Sequence, residues 1–102
     1  MAVLVVALLE AAEGELDDAI AVYDSQRPRA GVRFRDAVKT ALTRLTDHPE
    51  LGRSARYGVR RYVIPGWPYD VVYELRAETI LVIAVAHHSR RPRYWRDRLS
   101  SR

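Results

Sequence analysis

The spacing of the apolar residues changes at mid-chain, and this change constrains the fold of the chain more than any other feature. From Leu9 through Ala12, Leu16, Ala19 or Ile20 to Tyr23, apolar residues recur at steps of three and four, with Glu10, Glu13, Asp17 and Asp24 between them. That is the stripe of one amphipathic helix. Arg27-Pro28-Arg29 interrupts it, and a second stripe runs from Ala30 through Phe34, Ala37/Val38 and Ala41/Leu42 to Leu45. So short a break predicts an antiparallel helical hairpin. His48-Pro49-Glu50-Leu51-Gly52 ends the hairpin, because the residue before a proline is pushed out of helical geometry and Gly52 supplies turn freedom.

After a loop to about Tyr57 the period becomes two. Val59, Arg61 and Val63 oppose Arg60, Tyr62 and Ile64, Pro65-Gly66-Trp67-Pro68 turns the chain, and Tyr69, Val71, Tyr73 and Leu75 line one face of the next strand. Asp70, Val72, Glu74 and Arg76 take its other face. Ala77-Glu78 makes a tight turn into Ile80–Ala86, which is apolar on both faces. Such a strand is central, with helices on one side and further chain or a partner on the other. The apolar run at the N-terminus, including Val3–Val6, has no Lys or Arg before it, and acids follow where the small residues of a leader cleavage site belong, so it reads as a buried strand. Pro92 suits a first helical position, with Tyr94, Trp95 and Arg98 within one turn. The expected fold is α+β: an N-terminal helical hairpin packed on a small, mostly antiparallel sheet, followed by a short C-terminal helix. With 102 residues and 48% hydrophobic content, a single domain over 1–102 with one core is expected.

Charge separates the two halves. Residues 1–52 carry 6 basic and 9 acidic side chains, net −3, whereas 53–102 carry 11 and 4, net +7. All basic residues but Lys39 are arginine, whose planar guanidinium suits bidentate contact with phosphate or carboxylate. A basic half speeds association with polyanions or acidic proteins, so a macromolecular partner is expected rather than a small metabolite. No cysteine is present, which excludes disulfides and thiolate metal sites and fits a reducing, cytoplasmic setting. No apolar stretch approaches the 18 or so residues that a membrane span requires.

The candidate working surface is the segment His87 to Arg98, joined by Arg60 and Arg61 if their strand lies nearby. It combines cations for phosphate, imidazoles that move protons near neutral pH, and aromatic faces. The plainer use of the same residues is an arginine-capped helix in which Tyr94 and Trp95 seal the sheet edge. Adjacent histidines on a strand point to opposite faces, so at most one of His87 and His88 belongs to a given site. Neither a metal spacing nor a nucleophile oriented by a His–carboxylate pair is visible, and no metal or cofactor is expected.

The helical hairpin with Phe34 and Leu42, the HPELG turn, the basic strand RRYVI, the segment PYDVVYEL, the strand ILVIAVAHH and the ending RRPRYWRDR together resemble the ParE/RelE superfamily of toxins from bacterial type II toxin–antitoxin pairs, on its ParE-like branch. The resemblance implies a toxin–antitoxin hetero-oligomer in which the C-terminal segment of the antitoxin wraps around the toxin. RelE-type members are metal-free endoribonucleases that cut mRNA on the ribosome, using basic side chains and a tyrosine to promote attack of a 2′-hydroxyl on the adjacent phosphate. ParE-type members inhibit DNA gyrase. The two lysines of the RelE strand fall on Arg61 and Val63, the arginine of its Tyr-Arg-x-x-Tyr segment on Asp70, its later arginine near His88, and its tyrosine on Tyr94. An RNA-cutting toxin would thus use Arg61, His88 and Tyr94. A binding inhibitor would use Arg60, His87, Arg90, Arg91, Trp95 and Arg98 as target contacts. Asp70 favours the second, since a carboxylate repels a scissile phosphate. A decayed module without a live target is the third possibility.

Overall fold

The computed structural model describes residues 4–101, so Val3, the start of the N-terminal run, lies outside the described residues. In chain order the elements are β1 (Val5–Leu8), α1 (Glu10–Gln26), α2 (Ala30–Asp47), β2 (Arg53–Ser54), β3 (Arg60–Val63), β4 (Tyr69–Leu75) and β5 (Thr79–His87). Short 3₁₀ segments occur at Arg56–Gly58 and Arg96–Ser101. The sheet runs β1-β5-β4-β3-β2, antiparallel except where β1 lies parallel to β5, from Val5 opposite Thr79 to Leu8 opposite Val82. β1 is therefore an edge strand, and the expectation that it is buried is corrected: Val5 is 60% exposed.

The two helical stripes face one side of the sheet. Ala12, Ala19, Phe34, Val38, Ala41 and Leu45 pack on Ile64, Val71, Tyr73, Ile80, Val82 and Val85, while Leu42 is only half-buried. At the tip of the hairpin Phe34 meets Tyr69 (4.7 Å between centroids) and Tyr23 meets Trp67 edge-on (4.8 Å). Gly31 permits the helices to close there, since a Cβ would lie 2.5 Å from the Ile20 carbonyl oxygen. Its N–H donates to the Asp24 carboxylate (2.7 Å), which satisfies a first-turn donor that the Arg29 side chain does not cap.

The other face of the sheet is covered by the chain itself rather than by a partner. Trp95, 1% exposed, packs with Val59, Val72, Ile83, Ala84 and Ala86, with Tyr94 and Leu99 beside it. Emptying a buried tryptophan site costs about 3–5 kcal/mol, so this ring is a strong anchor for the tail. The tail does not form the helix expected from Pro92. Arg93 takes a left-handed φ of 58°, which breaks right-handed helical geometry and sets Trp95 down on the sheet, and only then does the 3₁₀ segment begin. β5 carries one residue more than its partner between the pairs Val72–Ala84 and Tyr73–Val82, a bulge at Ile83 that the alternating pattern does not reveal.

Candidate functional site

Asp70 organises the first of two polar clusters. It lies on β4 in register with Val63 and Ala86, on the face away from the helices, and is 4% exposed. A buried carboxylate persists only when paired, and two partners supply this. Arg61 Nη2 donates to Oδ2 at 2.7 Å, and His88 Nε2 lies 2.9 Å from Oδ1. Arg61 reaches it from β3, where it faces Val72, and His88 is fixed by its backbone N–H donating to the Pro68 carbonyl (2.8 Å). Arg60 points the other way and donates to the carbonyls of Gly52 (2.7 Å) and Glu50 (3.3 Å). The buried Tyr73 hydroxyl donates to the Pro49 carbonyl (2.7 Å) and accepts from the Gly52 N–H (2.9 Å). Gly52 is thus required for room rather than for turn freedom, because a Cβ would sit 2.5 Å from that hydroxyl.

Glu15 organises the second cluster. It lies between Ala12 and Ala19 on the buried stripe of α1 and faces the stretch of β5 that β1 does not reach, since β1 ends opposite Val82. Its Oε1 accepts the Val85 N–H (3.1 Å) and Arg98 Nη1 (2.8 Å), and its Oε2 accepts Arg98 Nη2 (3.0 Å) and the Tyr94 hydroxyl (2.5 Å). Arg98 Nη1 also donates to the Ile83 carbonyl (3.0 Å). Glu15 and Arg98 therefore occupy the donor and acceptor that a neighbouring strand would take, and they close the sheet edge with an ion pair. Burial, then the hydrogen bond to Glu15 and its charge, raise the Tyr94 pKa well above the usual tyrosine value, and the separate hydrogen bonds from Arg98 to Glu15 raise that of Arg98. Sequence reasoning passed over Glu15. The available signal was an acid at the third step of an apolar stripe; its partners lie 70 to 83 residues away.

A family model described as "ParE toxin of type II toxin-antitoxin system, parDE" matches residues 6–92. The chain belongs to the ParE toxin family. Among solved structures, a chain of the "Chromosomal ParDE TA system from P. aeruginosa" shares the fold at a TM-score of 0.73 and 17% identity, covering 83% of this toxin and 96% of that chain. No curated protein sequence matches.

The toxin divides the residues that RNA cleavage would need between the two clusters. Arg61 and His88 meet on Asp70, whereas the Tyr94 hydroxyl is held by Glu15. Of the candidate target contacts, Trp95 is in the core, so its use as an exposed anchor is corrected, and Arg98 is engaged by Glu15 and Ile83. Arg60 serves the Pro49–Gly52 loop. His87 sits edge-on to Tyr69 (4.9 Å) and its Nδ1 accepts the Ser89 N–H (2.9 Å). Arg90 stacks on Tyr94 (3.8 Å), and together His87, Arg90, Tyr94, Tyr69 and Val22 line a shallow hollow of about 200 Å³. Arg91 is exposed. One exposed feature had no sequence signal. Tyr57 has a left-handed φ of 65°, which for an aromatic residue costs on the order of 1–3 kcal/mol, and its ring lies 4.7 Å from the Arg96 guanidinium.

Proposed function

We propose that this ParE toxin acts by binding DNA gyrase, without cutting RNA, and that a cognate antitoxin neutralises it in the cytoplasm. The observation that carries this reading is the Asp70 cluster. A buried carboxylate already claims Arg61 and His88, and its charge opposes the negative charge that develops on phosphate during cleavage. Tyr94 adds to it: its pKa is raised and its hydroxyl donates to Glu15, so it stays protonated near neutral pH and does not serve as a general base. The antitoxin is supported by the family match and by the related structure, which is that of a chromosomal ParDE system. The basic second half suits capture of an acidic antitoxin segment.

The test pairs induced expression with a purified assay. Expression without the neighbouring antitoxin gene should arrest growth with a DNA-damage response, and co-expression should restore growth and yield a stable complex on pull-down. On purified ribosomes the toxin should leave mRNA intact. Codon-dependent cleavage that is lost in both Tyr94→Phe and Arg61→Ala would overturn the reading in favour of a RelE-like endoribonuclease.

A further inference from the structure

The face opposite the helices gathers exposed arginines around the Arg61–Asp70 ion pair. Arg53 on β2 stands directly opposite Arg61 on β3, whose charge Asp70 already balances, so the Arg53 charge is the uncompensated one of the two. Asp70 takes up only one end of Arg61, whose Nε is enclosed without an acceptor. Arg56 and Tyr57 follow in the β2–β3 loop, and Tyr57 lies against Arg96 of the tail. The Arg96 N–H donates to the Arg93 carbonyl (3.0 Å), and Trp95 between them packs on Val59, which joins tail and loop into one surface. Arg53, Arg56 and Arg93 are exposed, with no ion-pair partner among the described residues. The acids lie mostly elsewhere: Glu10, Glu13, Asp17, Asp18 and Asp24 all lie on α1, and none of them is buried. α1 is therefore acidic, whereas α2 beside it carries the exposed Arg33, Arg35, Lys39 and Arg44, and the exposed Asp97 borders the tail next to Tyr57 and Arg96.

We propose that Arg53, Arg56, Arg93 and Arg96, with Tyr57 among them, form a docking strip for the sugar–phosphate backbone of duplex DNA. This deepens the gyrase reading and rests on it, in that the toxin would engage its target as an enzyme–DNA complex. Guanidinium groups match phosphate oxygens two at a time and carry no base preference of their own. The strip has few apolar anchors to offer a protein, since Tyr57 and Val63 are its exposed large apolar side chains. The strained backbone at Tyr57 keeps an aromatic ring beside Arg96 at the surface, where burial gives little return for the strain. Asp70 keeps the contact one of binding, since it opposes charge build-up on phosphate.

The test is fluorescence anisotropy of a labelled duplex of about 24 base pairs with the purified toxin alone, so that its outcome does not depend on gyrase. With four phosphates neutralised, log K should fall with log salt at a slope of about −3.6, a loss of roughly 150-fold between 50 and 200 mM. Arg56→Ala/Arg96→Ala should bring the slope to about −1.8, whereas Arg33→Ala/Arg35→Ala on α2 should leave it unchanged. Tyr57→Gly, which relieves the strained φ, should weaken DNA binding without lowering the melting temperature. No binding at 50 mM salt, equal slopes for both double variants with folds intact by circular dichroism, or polyglutamate competing as well as DNA charge for charge would each overturn the proposal. Gyrase inhibition without DNA binding would overturn the strip and leave the gyrase reading standing; DNA binding without gyrase inhibition would do the reverse.

Discussion

Replacing Glu15 by alanine removes the acceptor of four hydrogen bonds at once: two from Arg98, one from the Tyr94 hydroxyl and one from the Val85 N–H. Val85 is 2% exposed, so its N–H is left without water or partner. Arg98 keeps only the Ile83 carbonyl among these contacts. Removing one member of a fully buried ion pair costs about 3–5 kcal/mol. Here the side chains of Glu15 and Arg98 remain 16% and 21% exposed, so solvent screens part of the loss and about 2–4 kcal/mol is expected. For a domain of this size that lowers the melting temperature by on the order of 10–25 °C. The loss should begin at the tail, since Glu15 ties α1 and β5 to residues 94–98. In a Trp67→Phe background the remaining Trp95 reports on this directly: its emission should shift to the red at lower urea than the far-ultraviolet signal of the helices, and trypsin should cut near Arg93 and Arg96 sooner. Glu15→Gln, which keeps one acceptor oxygen but loses the charge and turns a donor toward the remaining partners, should fall between the two. An unfolding free energy in urea that changes by less than about 0.5 kcal/mol in Glu15→Ala, with Trp95 emission unmoved, would refute the role assigned to Glu15.

Gly52→Ala should destabilise by about 1–3 kcal/mol, because the new methyl must displace the fully buried Tyr73 hydroxyl; an unchanged thermal melt would contradict the contact. Asp70→Asn keeps the shape but not the charge that holds Arg61 and His88, and should cost about 1–3 kcal/mol in urea unfolding; a variant as stable as wild type would mean that neither cation depends on the carboxylate. Burial is the main cause that raises the pKa values of Tyr23, Tyr69, Tyr73 and Tyr94 above 10.0. Above that pH the unfolded chain loses protons that the native state keeps, so the stability from these groups is complete below about pH 10 and is lost as pH rises further. Urea midpoints should fall as the pH rises above about 10, less steeply in Tyr94→Phe; a flat profile would contradict the burial of these hydroxyls.

Local pattern made most of the scaffold legible. The strand Tyr69–Leu75 begins where expected and ends one residue before Arg76, and Val71 and Tyr73 fall on the helical face with Val72 on the other. α2 runs from Ala30 as its stripe indicates, two residues past Leu45. Errors came where a distant contact outweighs local preference. β2, at two residues, is too short for alternation to register, and its existence depends on pairing with Arg60 and Arg61. β1 has the composition of a buried strand but lies at the edge, because β5 alone pairs with it. The tail has good helical signals at Pro92, yet the fit of Trp95 to the sheet prevails and Arg93 turns left-handed. The polar clusters divide in the same way. Asp70 could be singled out because an acid stood where a family pattern has a cation, whereas Glu15 looked like one more charge on an acidic helix until the tail closed over it.

The central claim is that the toxin inhibits by binding, and supercoiling of relaxed plasmid by purified gyrase tests it most directly. Added toxin should suppress supercoiling in proportion to its occupancy, and Asp70→Asn should retain the effect so long as it is folded, because no catalytic step depends on that cluster. Supercoiling that proceeds undisturbed at saturating, folded toxin would contradict the account.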